Sequence, residues 1–88
     1  MGNSPPALKK CSQKDINKLK EFVREQINYE YILVGLIIDS EGIPICFRFK
    51  QEIESEMKAK LTDKLKLLRF KPALQRGKGV ESIFTIKI

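Results

Sequence analysis

The chain contains no histidine, only two cysteines and no apolar run long enough to cross a membrane. Histidine is the commonest general base and metal ligand near neutral pH, so its absence removes the usual centre of acid–base and metal chemistry. Cys11 and Cys46 lack the close spacing that zinc sites and thioredoxin-like sites require. The longest uncharged apolar stretch, Ile32 to Ile38, has seven residues, whereas a membrane-spanning helix needs about 20.

Other motifs of catalysis and ligand binding are missing as well. No glycine-rich Walker or Rossmann pattern occurs. Asp39 and Glu41 lie in a turn-like stretch and supply too few oxygen atoms for a calcium loop. Cys46 is flanked by apolar residues and is predicted to be a partly buried, unreactive thiol, although a disulfide between Cys11 and Cys46 stays open for an oxidising compartment. The sequence therefore predicts a protein that is not an enzyme and uses no cofactor and no metal.

Basic charge is the main compositional feature of this 88-residue chain. Seventeen Lys and Arg residues against eleven Asp and Glu give a formal net charge of +6. Such an excess suits nucleic acid, an anionic membrane or an acidic partner, or serves only solubility. Because the basic residues are spread along the chain with acidic residues among them, the interpretation that the charge serves only solubility is favoured. The length allows one domain with one modest core.

The first half of the chain predicts a tail, a helix and two strands. Residues 1–11 have no apolar period and are predicted to be a flexible N-terminal tail, and residues 12–88 a single domain. Apolar residues then recur every three or four positions, which predicts a helix over about residues 13–27, with Ser12 and Asp15 as a capping-box-like start. The buried stripe of this helix comprises Ile16, Leu19, Phe22, Val23 and Ile27.

The stretch "YEYILVGLIID" is continuous and β-branched, as expected of a central strand. A tight turn, "DSEG", follows, and "IPICFRFK" then alternates in polarity. Proline cannot donate to a β-ladder, so Pro44 favours an edge position for this second strand. The residues predicted to face the core from it are Ile43, Ile45, Phe47 and Phe49.

The second half predicts a helix and a last strand. Ile53, Met57, Leu61, Leu65 and Leu68 recur at helical spacing, and this helix is predicted to end near Arg69, ahead of Pro72. The final strand is predicted over Val80–Ile88. Its two predicted faces are Val80, Ser82, Phe84, Ile86 and Ile88 on one side and Glu81, Ile83, Thr85 and Lys87 on the other. The order α-β-β-α-β predicts an α+β fold, with two helices packed on one face of a three-stranded antiparallel sheet of order 2-1-3. The last strand then keeps a free edge.

Motifs between residues 31 and 88 together resemble those of a known family. "LIIDSEGIP", an amphipathic helix and then "LLRFKPALQRGKGVESIFTIKI" look like the C-terminal domain of TonB-type energy transducers. The resemblance covers about residues 31–88, and residues 1–30 match poorly, since "INYEYI" replaces the Tyr-Pro pair of many family members. The matching positions are Ile37, Ile38, Asp39, Gly42, Leu65, Leu68, Phe70, Lys71, Pro72, Ala73, Gly77, Val80, Phe84 and Ile86.

The resemblance implies a periplasmic module of the cell envelope that takes part in energy-coupled transport. In TonB-like domains an extended segment of an outer-membrane receptor adds as a strand to the sheet edge, a binding mode called β-augmentation. Membrane attachment would come only from an N-terminal anchor outside this sequence. The residues predicted to bind the partner are Val80, Glu81, Ser82, Ile83, Phe84, Thr85, Ile86 and Lys87, with Lys71, Arg76 and Lys78 from the preceding loop.

Several alternatives stay open at this level. The loop cations can be merely solvated, and the free edge can be covered by the N-terminal tail or by a second copy in a homodimer. The chain can also be a structural appendage of a larger envelope protein. Nucleic-acid binding is disfavoured, because Phe47, Phe49 and Phe84 share the predicted core face and leave no pair of exposed aromatic residues for stacking.

Overall fold

Two α-helices, a 3-10 turn at Lys10–Ser12, a π-helical turn at Val23–Ile27 and seven short strands lie within residues 2–88, the part of the chain that the computed structural model describes. The helices are α1 (Gln13–Phe22) and α2 (Ser55–Leu65). The mixed α+β class with antiparallel strands is therefore as predicted. The strands are β1 (Ala7–Leu8), β2 (Leu33–Ile38), β3 (Pro44–Phe49), β4 (Phe70–Lys71), β5 (Ala73–Gln75), β6 (Lys78–Val80) and β7 (Ser82–Lys87).

The central sheet has three antiparallel strands in the order β3-β2-β7, which is the predicted order 2-1-3. Strand β2 lies in the middle because it is the most apolar of the three, and the proline-bearing β3 lies at one edge. On β2 the even-numbered residues Val34, Leu36 and Ile38 are fully buried, whereas the odd-numbered ones are only half-buried. One face of the sheet is thus covered and the other is open to solvent.

Both helices pack on the covered face. Helix α1 contributes Ile16 and Leu19, and α2 contributes Leu61 and Leu65, at the spacings that the sequence indicated. Burying each such side chain stabilises the fold by about 1.5–3 kcal/mol. The buried cluster comprises Ile16, Leu19, Val23, Ile32, Val34, Leu36, Ile38, Leu61, Leu65, Leu68, Phe70, Ile86 and Ile88.

The first helical segment begins at Gln13 and has the predicted length, but Ser12 does not cap it as predicted. Helix α1 continues as a π-helical turn over Val23–Ile27 and ends at Asn28, whose φ of 63° is left-handed. Ser12 makes no cap with its own helix. It is buried, and its Oγ instead accepts a hydrogen bond of 2.8 Å from the backbone N–H of Arg69. The capping role predicted for Ser12 is therefore corrected to a long-range tie between the two halves of the chain.

Replacing Ser12 by alanine should lower the free energy of unfolding by about 1–3 kcal/mol, because the partly buried N–H of Arg69 would lose its acceptor. Ser82→Ala is the matched control. The Ser82 Oγ is also buried but has no hydrogen-bond partner among the described residues, so its removal should leave stability unchanged or raise it slightly. Urea unfolding of both variants measures the difference, and equal losses would contradict the role assigned to Ser12.

Strand β3 contains a β-bulge that changes which of its residues face the core. Cys46 pairs with Ile37, but the next pair is Pro44 with Ile38, so Ile45 is the extra residue. Pro44 is consequently buried, and Ile45 is 49% exposed. The prediction that Ile45 faces the core is wrong for this reason.

Helix α2 ends at Leu65 rather than near Arg69. The residues after it are drawn into pairing with distant segments. The carbonyl oxygen of Arg69 accepts from the Lys9 N–H at 3.0 Å, and the Phe70 N–H donates to the Gly42 carbonyl at 2.9 Å. Both bonds require extended backbone, so tertiary contacts shorten the helix that the apolar period alone predicts.

The N-terminal segment, predicted to be a flexible tail over residues 1–11, is hydrogen-bonded to residues 69–77 at several positions between residues 2 and 9. Strand β1 pairs with β4, and Ser4 exchanges two backbone hydrogen bonds with Leu74. The Asn3 side chain accepts a 2.8 Å hydrogen bond from the Arg76 N–H. Residues 2–9 therefore lie against the 69–77 segment, and none of them pairs with β7.

The predicted basic loop before the last strand is a β-hairpin formed by β5 and β6. Its two central residues, Arg76 and Gly77, both have positive φ, 54° and 80°, as the two-residue turns that join twisted strands require. Val80 belongs to this hairpin and pairs with Ala73. The single strand predicted over Val80–Ile88 is thus divided at Glu81, and β7 begins at Ser82.

Candidate functional site

The candidate site is the outer edge of β7. This strand pairs with β2 on one side, and within residues 2–88 no strand pairs with its other side. The N-terminal segment covers a different part of the domain, as described above. Unpaired backbone groups along an edge strand are a ready template for another chain.

The register shows which backbone groups point outward. Ile32 and Ile88 exchange two hydrogen bonds, with N–O distances of 2.8 and 2.9 Å. Because hydrogen-bonded and non-hydrogen-bonded pairs alternate in an antiparallel ladder, even-numbered residues of β7 bond to β2. The N–H and C=O groups of Ile83, Thr85 and Lys87 therefore face away from the sheet. These three residues form the free edge.

The side chains of β7 alternate as predicted. Ile83, Thr85 and Lys87 are exposed, and Ile83 is exposed by 76%. On the opposite face, Ile86 is buried, and the ring of Phe84 packs on that of Phe70 with their centroids 5.2 Å apart. Phe84 and Ile86 bond through their backbone groups to β2 and turn their side chains toward the core. Of the predicted partner-binding residues on β7, the odd-numbered ones therefore remain available to a partner.

The remaining predicted partner-binding residues are distributed over other strands. Val80 is half-buried in β6, and Glu81 is the exposed link between β6 and β7. Lys71 pairs with Ala7 in the β1–β4 ladder. Arg76 and Lys78 belong to the β5–β6 hairpin, Arg76 in its turn. The structure thus does not bring Lys71, Arg76 or Lys78 into the sheet that carries the β7 edge.

The turn between β2 and β3 joins the motifs that surround the site. The Asp39 carboxylate accepts 2.9 Å hydrogen bonds from the N–H groups of Glu41 and Ile43. Gly42, with a φ of 88°, then lies against the carbonyl group of Phe70. The Asp-x-x-Gly turn and the "RFKPA" block, far apart in sequence, are therefore in direct contact.

A cleft of about 380 Å³ lies at the C-terminal end of β7. The Lys87 ammonium on its wall lies 4.4 Å from the centre of the Tyr31 ring, within the range of a cation–π contact. A partner strand that paired with the β7 edge and continued past Lys87 would run along this cleft. There it would meet the three cations and the one carboxylate of the cleft lining. The lining residues are Lys20, Arg24, Glu30, Tyr31, Lys87 and Ile88.

Groups with reactive or metal-binding chemistry are not gathered at the edge. Cys11 and Cys46 are free thiols, and both are exposed, so the predicted burial of Cys46 is wrong. In residues 2–88 no cluster of three or more Cys, Asp or Glu side chains could hold a metal ion. Over the same residues, neither helix has the length and apolar character needed to cross a membrane.

Comparisons with protein-family models, with curated proteins and with solved structures found no match to this chain. The likeness to TonB-type C-terminal domains therefore stays a prediction from the sequence motifs. The structure establishes an α+β domain whose central sheet has two edge strands, β3 and β7, neither of which has a strand on its outer side within residues 2–88.

Sequence reasoning missed two features near the site. The first is a depression at Gly35, on the face of the central sheet that the helices do not cover. A glycine inside a strand is a known signal of close approach or missing bulk. The hydrogen bonding of the N-terminal segment to residues 69–77 had no local signal, because short strands of two residues carry too little pattern to be recognised.

Proposed function

We propose that this domain is a non-enzymatic protein-binding module that takes up an extended segment of its partner along the β7 edge. The observation that carries the proposal is the row of outward N–H and C=O groups at Ile83, Thr85 and Lys87. An added strand would pair with these groups and extend the sheet from three strands to four. Main-chain hydrogen bonds then supply the affinity, and the neighbouring side chains supply the selectivity.

The character of the edge supports a partner. Ile83, the first residue of the free edge, is largely exposed, and edge strands with exposed apolar residues promote aggregation when nothing covers them. Protection by charge is limited to Glu81 before the strand and Lys87 at its end. Pairing with another chain both satisfies the backbone groups and covers Ile83.

The finer proposal is that the partner is a segment of an outer-membrane receptor and that the domain acts like a TonB C-terminal domain in energy-coupled transport at the cell envelope. Its support is the set of motif residues quoted above, together with the hydrogen bond from Phe70 to Gly42 that unites two of the motifs. A peptide from the periplasm-facing N-terminal segment of such a receptor should bind more tightly than a scrambled peptide of the same composition. Equal binding of the two would rule out the finer proposal.

Thr85→Pro is expected to abolish binding of an extended peptide while the domain stays folded. The N–H of Thr85 points outward, so proline removes a donor for the incoming strand without breaking a bond to β2. The peptides would be selected from a displayed library of random sequences on the wild-type domain, and binding would be measured by fluorescence anisotropy. Circular dichroism checks the fold.

Thr85→Val is the matched control, because valine keeps the N–H and the strand preference of threonine. Amide hydrogen exchange provides a second readout. In the free domain the amides of Phe84 and Ile86 should be protected and those of Ile83, Thr85 and Lys87 should exchange fast, and a bound peptide should slow the second set. Peptides that bind Thr85→Pro as well as wild type, or a selection that yields no binder, would refute strand addition.

A further inference from the structure

The central sheet has a second exposed surface besides its edge. Both helices cover one face, and the opposite face is open to solvent, with half-buried or exposed residues at the odd positions of β2 and β7. We call it the open face. Its residues are Gly35 and Ile37 from β2, Cys46 and Arg48 from β3, Lys50 directly after β3, and Ile83, Thr85 and Lys87 from β7.

A trough of about 290 Å³ runs across this face. It exists because Gly35, in the central strand, has no side chain between its neighbours Arg48 and Thr85. Ile37 and Ile83, paired in the next row, form an apolar wall of the trough. The trough therefore has the shape and the lining to take up an apolar side chain.

The charges around the trough are of one sign. Arg48 and Lys50 line it, and no Asp or Glu does. Neither cation is in an ion pair, since the single ion pair found within residues 2–88 joins Lys60 to Glu56 on α2. Glu81 lies at the far end of the face, beside Ile37 and Ile83.

We propose that the trough is a docking site for an acidic, amphipathic segment of a partner protein, with an apolar side chain over Gly35 and carboxylates beside Arg48 and Lys50. This surface is recognised through side chains, whereas the β7 edge is recognised through the backbone. The proposal does not depend on strand addition, and either can fail alone.

Charge distinguishes this occupant from a second copy of the chain. Two open faces brought together would bring Arg48, Lys50 and Lys87 of both copies into one interface, with one Glu81 from each copy in compensation. Burying like charges against each other is strongly unfavourable. An acidic segment removes this repulsion and neutralises cations that have no partner within the domain.

Shape distinguishes the occupant from the two other polyanions that a basic surface attracts. Base stacking needs several exposed aromatic rings, but Phe47, Phe49 and Phe84 pack against the core on the covered face, and the exposed Tyr31 lies at the Lys87 end of the sheet and does not line the trough. An anionic membrane is flat and takes up protruding apolar side chains, whereas the feature here is a depression. A polypeptide side chain fills a trough, and a lipid surface leaves it empty.

Gly35→Val is the decisive variant. A Cβ at Gly35 would lie 3.8 Å from its nearest neighbour, the Cβ of Arg48, which is ordinary van der Waals contact, and the φ of Gly35 is not in the left-handed range. Valine also favours strands, so the variant should fold while its side chain fills the trough. The probe is an acetylated peptide of about ten residues, roughly 33 Å when extended, with leucines flanked by glutamates in a serine background.

The peptide should bind wild type and shift the amide resonances of Gly35, Ile37 and Ile83 in titrations followed by nuclear magnetic resonance. Gly35→Val should weaken binding at least about tenfold. Arg48→Glu and Lys50→Glu should also weaken binding at least about tenfold. Lys58→Glu is the control, because it makes the same change in net charge at an exposed position of α2, and it should weaken binding far less. Binding should also fall between about 10 and about 150 mM salt, over which the Debye length shortens from roughly 30 to roughly 8 Å.

Matched probes decide between the occupants. Replacing the glutamates of the peptide by glutamine, or its leucines by serine, should each weaken binding. Tighter binding to single-stranded DNA or to phosphatidylglycerol vesicles than to the peptide would overturn the proposal. So would dimerisation of the protein that Gly35→Val abolishes, no binding of the peptide, or equal binding by Gly35→Val and wild type.

Discussion

Gly42→Ala is expected to destabilise the domain by about 3–5 kcal/mol, a large share of the roughly 5–15 kcal/mol that holds a typical domain folded. Gly42 has a φ of 88°, where a side chain is strained, and a Cβ there would overlap the carbonyl oxygen of Phe70. Relief would require the Asp39–Gly42 turn to move away from Phe70. The hydrogen bond from the Phe70 N–H to the Gly42 carbonyl, 2.9 Å long, would then be lost.

Gly77→Ala is the control that separates strain from overlap. Gly77 has a similar φ of 80°, but a Cβ there would meet no atom within 4 Å. Only the conformational cost of about 1–2 kcal/mol should appear. Urea unfolding followed by circular dichroism gives both values, and equal losses for the two glycines would show that the packing of the turn on Phe70 is unimportant.

Leu68→Ala should lower the free energy of unfolding by about 2–5 kcal/mol, because Leu68 is fully buried and its truncation leaves a cavity in the core. The adjacent Leu67 provides a control of identical chemistry. Leu67 is 64% exposed, so Leu67→Ala should change stability by no more than about 0.5 kcal/mol.

Thermal and urea unfolding of the two leucine variants measure the contrast directly. The residues are neighbours beyond the end of α2, so helix propensity and chain position are nearly the same for both. A comparable loss in Leu67→Ala would mean that the exposed leucine is covered in solution by another surface, and a negligible loss in Leu68→Ala would contradict the placement of residue 68 in the core.

The two proposed binding surfaces share the sheet but depend on different groups. The β7 edge offers backbone N–H and C=O groups at three alternate residues, and the trough offers an apolar depression beside Arg48 and Lys50. Thr85→Pro removes a backbone donor from the first but also a side chain that lines the trough, so its effect is compared with that of Thr85→Val, whereas Gly35→Val acts on the second by filling space. A partner that loses affinity to both variants would be one whose segment pairs with β7 and continues across the open face.

Local pattern predicted much of this fold. The helix over residues 13–27, the amphipathic second helix and the strand at residues 33–38 were recognisable because each has an apolar period long enough to identify it. The sheet order followed from chain direction, the apolar character of β2 and the proline in β3. On β7 the alternation of apolar and polar residues also predicted which side chains enter the core.

The errors of sequence reasoning lie where a distant contact outweighed local preference. Ser12 looked like a helix cap but is tied to Arg69, and α2 ends early because Arg69 and Phe70 pair with Lys9 and Gly42. The bulge at Ile45 depends on how β3 aligns with β2, which no residue of β3 reveals by itself. Strands β1 and β4 are too short to leave a pattern.

The two helices, the three main strands, their order and the absence of histidine chemistry could all be read from the chain alone, because periodicity and composition are properties of neighbouring residues. Which amides of β7 face outward required the folded domain, since that depends on the register of β7 with β2. The folded domain alone also shows that the N-terminal segment leaves the edge uncovered and that Gly35 opens a trough between cations. Both arise from residues brought together across the sheet.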